Sequence, residues 1–194
     1  MIEKYKNLEI SRFLLYNNSM KKELRNKYLF IRKNVLNRQQ LDEIIYQKVI
    51  SHPKVKQSKT ILVYVSFDDE VDTIKIIEYL LKYKEVAVPK IENNRMNFYI
   101  INNLSELSIG TFNILEPTTR KLLTDFSNAI CITPGICFSK DKYRLGYGMG
   151  YYDRFITKHH LYQIGLCYQV CLLDKLPHND YDQKVDEIIT DVEL

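Results

Sequence analysis

Thr60 opens the stretch TILVYVSFDDEVDTIKIIEYLLKYKEVAVP, residues 60–89, whose changes of pattern decide the fold. Thr60 to Val65 is a β-rich apolar run, and Ser66 to Glu70 is a polar loop. From about Asp72 to Tyr83, Ile74, Ile77, Tyr79, Leu80 and Leu81 recur at helical spacing. Val86-Ala87-Val88 is a second short apolar run, stopped by Pro89. Strand, helix and strand in this order form a βαβ unit, with parallel strands joined by a right-handed crossover.

Outward from this unit the same reading continues. Leu24, Tyr28, Ile31 and Val35 form one apolar stripe, which predicts a helix from Lys21 to about Val35. Asn37 with Gln40 three residues later has the pattern of a capping box and starts a second helix to about Ile50, with Pro53 ending that region. Downstream, Met96 to Ile101, Ala129 to Thr133 and Tyr162 to Tyr168 read as strands, and a helix starts near Tyr151. Ile109 to Leu115 is an ambiguous turn-containing segment before Glu116-Pro117, and Val185 to Thr190 is a short strand or irregular. There are no repeats and no low-complexity linker. The expected fold class is α/β: a single open, mostly parallel or mixed sheet flanked by helices over residues 20–194. Residues 1–19 stand before it as an N-terminal extension whose order the sequence leaves open.

Composition narrows the class. The 194 residues suit one domain, and a chain of this size buries roughly 70% of its unfolded surface without staples. The 15 Tyr and 8 Phe are more ring surface than a disordered chain carries. Cys131, Cys137, Cys167 and Cys171 form neither a CxxC pair nor a zinc module. They read as core thiols in a reducing compartment. No apolar stretch approaches the ~20 residues of a membrane span. Residues 1–19 lack the long apolar core and small-residue cleavage site of a secretory signal, so a cytoplasmic protein is expected. The net charge of +4 is spread among 24 acidic residues rather than gathered into a nucleic-acid stripe. Its densest cluster, Lys21, Lys22, Arg25 and Lys27, lies on the first helix.

Three of the 6 glycines stand in Gly146-Tyr147-Gly148-Met149-Gly150, between Arg144 and Asp153. Exposed N–H groups leading into a helix N-terminus form an anion site, and Arg144 could add a forked contact to phosphate. Asp153 offers the hard oxygen that Mg²⁺ takes. The spacing is neither GxGxxG nor a loop ending in GK[ST]. It leaves open a phosphate loop or a tight turn serving packing, and it leaves Asp153 as a metal ligand or an ordinary helix-terminus acid.

Arg144-Leu-Gly-Tyr-Gly-Met-Gly-Tyr-Tyr-Asp-Arg154, preceded by Pro134-Gly135 and Phe138, resembles the 5-formyltetrahydrofolate cyclo-ligase family. Four further blocks resemble it in the same order: Met20 to Arg25, Tyr64-Val-Ser66 with Glu70 to Thr73, Phe112 to Pro117, and Asp182 to Asp186. The likeness spans residues 20–194. Met149 departs from the small or basic residue many members carry there, and Phe112 stands where glycine is common.

The resemblance implies an ATP-dependent, Mg²⁺-requiring conversion of 5-formyltetrahydrofolate to 5,10-methenyltetrahydrofolate. Arg144, Lys21 and Arg25 are then the catalytic cations at the ATP phosphates, with Gly146, Tyr147, Gly148, Met149, Gly150, Tyr151 and Tyr152 around the nucleotide. On spacing alone, Lys21 and Arg25 are also readable as a solvated pair on one helical face. Asp153 and Asp182 are the implied metal ligands. Glu70 would take the donor-rich pterin edge, unless it is only a helix-start acid. Phe67, Met96, Tyr151 and Tyr152 would wall the folate. No protein nucleophile is required, and His52, His159, His160 and His178 fit no catalytic constellation. The implied partners are ATP and folate, with no nucleic acid or membrane, in a monomer or weak dimer. The competing class is a nucleotide- or RNA-binding module without turnover, distinguished by a steep salt dependence.

Overall fold

The computed structural model describes residues 2–110 and 113–192, with side chains from residue 17 onward. Phe112 and its local turn lie outside the described residues. The first helix, α1 (Ile2–Lys33), starts well before Lys21, because no Gly or Pro interrupts residues 2–20. Next come α2 (Arg38–Ser51) and α3 (Pro53–Gln57). Asn37 precedes α2 with φ 55 and makes no side-chain cap bond. The expected capping box is therefore not formed, since a left-handed residue does not take the extended conformation from which a side chain caps. Pro53 starts α3 rather than ending a helix, as its fixed φ and missing N–H suit a first helical position.

The βαβ unit is β1 (Thr60–Val63), α4 (Ile74–Leu80) and β2 (Glu85–Glu92), with β1 and β2 parallel. Pro89 does not stop β2. It pairs with Phe98 of β3 (Arg95–Ile101), while the β1 register ends at Ala87. Beyond that point β2 has no donor obligation on its other side, so the missing N–H is tolerated. Asn93 and Asn94, at φ 49 and 60, make the two-residue turn between β2 and β3.

The ambiguous segment is a hairpin of β4 (Leu107–Ile109) and β5 (Leu115–Pro117). Then follow β6 (Ala129–Thr133), β7 (Cys137–Ser139), β8 (Arg144–Leu145) and α5 (Tyr151–His159). The chain ends with β9 (Tyr162–Leu166), β10 (Leu172–Leu173) and β11 (Glu187–Ile189). The main sheet has the order β11-β9-β6-β1-β2-β3, parallel except for the edge pair β2–β3. This is the expected mostly parallel α/β sheet. Among the described residues no helix is long and apolar enough to cross a membrane.

Both sheet faces are covered. On one, Ile61 and Val63 meet Ile45 and Val49 of α2 and Ile76, Ile77 and Leu80 of α4. On the other, Leu62, Ala87 and Phe98 meet Phe155 and Ile156 of α5. Such two-sided burial gives β1 its unbroken apolar run. A third cluster, around Phe138, Cys137, Cys167 and Cys171, receives Leu24, Tyr28 and Ile31 of α1. The four cysteines are buried and free.

From β1 the chain adds β2 and β3 on one side, then β6, β9 and β11 on the other. The topological switch therefore lies between β1 and β6, at whose carboxyl ends such sheets bind ligands. Near that edge the Phe138 ring fits between two glycines. A Cβ on Gly135 would lie 2.5 Å from its Cε2, and one on Gly165 would lie 2.3 Å from its Cε1. Gly165→Ala is expected to cost about 1–3 kcal/mol, lowering the melting temperature by about 2–4 °C per kcal/mol. Phe138→Leu in the same chain should recover part of that loss. Independent, additive effects in thermal melts would show that the close approach is not the cause.

Candidate active site

The loop after β8 has the backbone geometry of a candidate anion site. Gly148 and Gly150 have φ of 100 and 64, so the backbone turns where only glycine is unstrained. Gly150 is the residue before α5 and supplies no side-chain cap. Among the described residues, no hydrogen bond uses the N–H groups of residues 147–153. A run of unspent donors at a helix N-terminus attracts an anion through both hydrogen bonding and the helix dipole.

Two expected cations meet this region from α1. Arg25 Nε donates to the Gly146 carbonyl at 2.8 Å, and its guanidinium is what a Cβ on Gly148 would touch, at 3.3 Å. Lys21, one turn earlier and buried, pairs with Asp182 at 2.5 Å. Neither is a merely solvated residue, whereas Lys22 and Lys27 of the same cluster are exposed.

Arg144 is largely enclosed and donates to Asp153 at 2.8 Å and to Gln163 at 3.2 Å. Asp153 Oδ1 also accepts from the Gln183 N–H at 3.1 Å. Arg144–Asp153 and Lys21–Asp182 are thus two ion pairs, tied together where the Gln183 N–H, next to Asp182 in the chain, reaches Asp153. Asp153 uses only Oδ1 and Asp182 only Oδ2 among the described residues. Each retains a second oxygen, which fits an ion that takes one or two carboxylates and completes its shell with phosphate and water. The described residues contain no cluster of three or more side chains able to hold a metal alone.

On the loop between β1 and α4, Glu70 is 9% exposed. Its Oε2 accepts from the Phe67 N–H at 3.1 Å, and its backbone carbonyl accepts from Arg38 at 2.8 Å. The Tyr147 hydroxyl donates to Oε1 at 3.5 Å. Burial raises the Glu70 carboxyl from 4.5 to about 7, although nearby Arg32 opposes the shift.

Tyr152 packs between the two sheet-face clusters, and its buried hydroxyl has no partner. Met96 is a core residue of the same cluster as Phe98. Tyr151 donates to Asn94 at 3.0 Å and closes the β2–β3 turn onto α5. Phe67 is half-buried, and Met149, at the loop tip, is 60% exposed. The histidines are otherwise engaged: His52 pairs with Glu187, His159 stacks on Phe126 and His178 on Tyr143; His160 follows α5 in a left-handed conformation.

Sequence reasoning missed Arg32 and Asp69. Arg32 is 2% exposed and pairs with Asp69 at 2.7 Å. It lies seven residues after Arg25 on the same face of α1, a signal available from spacing alone. Asp69 had no such signal, because its partner is distant in the chain.

Fold and site define a doubly wound α/β enzyme whose glycine-rich loop and buried carboxylate meet at the topological switch. The chain belongs to the 5-formyltetrahydrofolate cyclo-ligase family, whose pattern matches residues 17–191, and it is a ligase of that kind. It is 30% identical over 166 residues to a probable 5-formyltetrahydrofolate cyclo-ligase of Schizosaccharomyces pombe, covering 75% of this chain and 81% of that one. The Escherichia coli 5-formyltetrahydrofolate cyclo-ligase is 29% identical, with 82% and 94% covered. The 5,10-methenyltetrahydrofolate synthetase of Aquifex aeolicus superposes with a TM-score of 0.82 at 32% identity, covering 90% of this chain and 91% of that chain.

The raised Glu70 carboxyl has a consequence for stability. Between pH 4.5 and about 7 the native state keeps a proton that the unfolded chain has lost. That contribution is complete below pH 4.5 and disappears as pH rises through about 7. Relative to the wild-type protein, Glu70→Gln should gain about 1–3 kcal/mol across this window and then level off. Denaturant titrations at several pH values measure it, and parallel curves for the two proteins would contradict it.

Proposed function

We propose that the chain joins the formyl carbon of 5-formyltetrahydrofolate to N10, using ATP and giving 5,10-methenyltetrahydrofolate, ADP and phosphate. The observation that carries this reading is the juxtaposition of the unspent N–H run at 147–153 with buried Glu70, linked through Tyr147, in a member of this family.

The formamide on N5 is a poor electrophile and its oxygen a poor leaving group. In the proposed sequence that oxygen attacks the γ-phosphoryl of ATP, releasing ADP and leaving a phosphorylated formyl, an iminium phosphate. N10 then adds to the activated carbon, loses its proton, and phosphate departs as the ring closes. Loop N–H groups, Arg25 and Lys21 lie against the phosphates and offset the charge that develops on transfer. Arg144 holds Asp153 in place and adds positive charge behind the loop. Glu70 takes the pterin edge, with Phe67, Tyr151 and Tyr152 around the folate and Met96 backing them. Holding N10 near the formyl carbon replaces an entropic cost with orientation. Mg²⁺, when bound to Asp153 and Asp182, would neutralise phosphate charge.

Residues 20–194 form the catalytic unit in this reading, and residues 2–19 belong to the start of α1. The protein acts in the cytoplasm as a monomer or weak dimer, with neither nucleic acid nor membrane as partner.

Purified protein incubated with 5-formyltetrahydrofolate should show methenyl absorbance and ADP rising together, only with both ATP and a divalent cation present. Equal turnover without ATP would rule out phosphoryl activation. Arg144→Ala and Asp153→Ala should each lose about 2–4 kcal/mol of transition-state stabilisation. Near-wild-type kcat/KM in folded, metal-saturated variants would remove these residues from the machinery.

A further inference from the structure

Arg32 is a cation that the phosphate and folate contacts proposed above leave without a role. One of its terminal nitrogens donates to Asp69 Oδ1 at 2.7 Å and to the Tyr147 hydroxyl at 2.8 Å. The other donates to the Gly135 carbonyl at 3.0 Å. A single guanidinium therefore touches the β1–α4 loop, the β6–β7 turn and the glycine-rich loop. The Tyr147 hydroxyl that it holds also donates to Glu70. Tyr147 is itself 55% exposed, so packing alone does not fix its ring. Its hydroxyl contacts are a direct tie between the loop and the body of the protein.

We infer that Arg32 is a positioning residue which, through the Tyr147 hydroxyl, couples the glycine-rich loop to Glu70, so that filling the phosphate side orients the carboxylate on the folate side. This deepens the proposed cyclo-ligase reading and rests on it. A guanidinium suits the task because its planar fork addresses several acceptors at once, whereas an ammonium is a point charge. Phosphate held on the loop N–H groups restrains the backbone of Tyr147, hence its hydroxyl, hence the geometry of Glu70. The titratable and charged groups around Glu70 are Arg32 from α1, Asp69 beside it, Tyr147, Tyr64 and Tyr152, with Arg38 on its backbone carbonyl. Of these, Arg32 and the Tyr147 hydroxyl favour the ionised carboxylate.

Were Arg32 only the structural partner of Asp69, the folate KM of the wild-type enzyme would not depend on ATP. The test compares the wild-type enzyme with Tyr147→Phe and Arg32→Lys, using 5-formyltetrahydrofolate and MgATP. Tyr147→Phe keeps the loop backbone, so ATP affinity in the absence of folate should hold, while KM for ATP at saturating folate should rise by the factor of coupling that is lost. KM for the folate should rise about 3–10-fold, the worth of one such hydrogen bond. In the wild-type enzyme that KM should fall as ATP approaches saturation, and in Tyr147→Phe it should be independent of ATP. The acid limb of kcat/KM for the folate should also move to higher pH, because Glu70 has lost a donor to its ionised form. Arg32→Lys should show the same changes more strongly. If that buried variant does not fold, Tyr147→Phe decides the matter at a half-exposed ring. Wild-type folate KM, ATP dependence and pH profile in Tyr147→Phe would overturn the coupling. A wild-type protein that forms no methenyl product would overturn the underlying function instead.

Discussion

A guanidinium that is 2% exposed holds the two halves of this site in register. Arg32 is kept protonated by Asp69 and the Tyr147 hydroxyl despite the desolvation that opposes its charge. Losing one member of such a buried pair typically costs about 3–5 kcal/mol, because the other charge is left uncompensated. The requirement joins α1 to the loop after β1 and to the turn after β6. It thereby spans the topological switch, where a parallel sheet leaves a crevice. A buried ion pair adds little net stability over a well-packed apolar pair, so its usefulness lies in the geometry it imposes.

The charge network around Asp153 has the same logic at lower burial. Lys21 pairs with Asp182 and Arg144 with Asp153, the Gln183 N–H joins the two pairs, and each carboxylate retains an oxygen outside its pair. In the proposed reaction, cations for the phosphates and free oxygens for a metal are complementary demands. Two linked ion pairs would meet both, the positive groups neutralising the acids until a polyanion and its cation bind. Glu70 stands apart from this network. Its carboxyl is raised by burial to about 7, so modest changes in its surroundings alter its ionisation near neutral pH.

Packing explains why these groups converge. Phe138 sits between Gly135 and Gly165 closely enough that a methyl on either glycine would collide with the ring. That contact brings the segment after β6 against β9, and α1 lies over the same cluster through Leu24, Tyr28 and Ile31. The helix bearing Lys21, Arg25 and Arg32 is thus seated by apolar residues on an adjacent stripe. Its polar face is left toward the loop.

The sequence by itself determined the βαβ unit, the parallel α/β class and the glycine-rich loop, because apolar periodicity and glycine spacing are local properties. The alternation of residues 60–89 and the cluster Gly146, Gly148 and Gly150 need no knowledge of distant neighbours. Tertiary structure alone decided the partners. That Lys21 meets Asp182 and that Arg32 finds Asp69 depend on elements folded together from far apart in the chain, and that Arg144 turns to Asp153 depends on the path of the glycine-rich loop between them. It also overrode local signals: Asn37 takes a left-handed backbone instead of a capping box, and Pro89 continues a strand whose inner partner has already ended. At Pro89 a vacant sheet edge outweighed a local strand-breaking tendency worth about 1 kcal/mol.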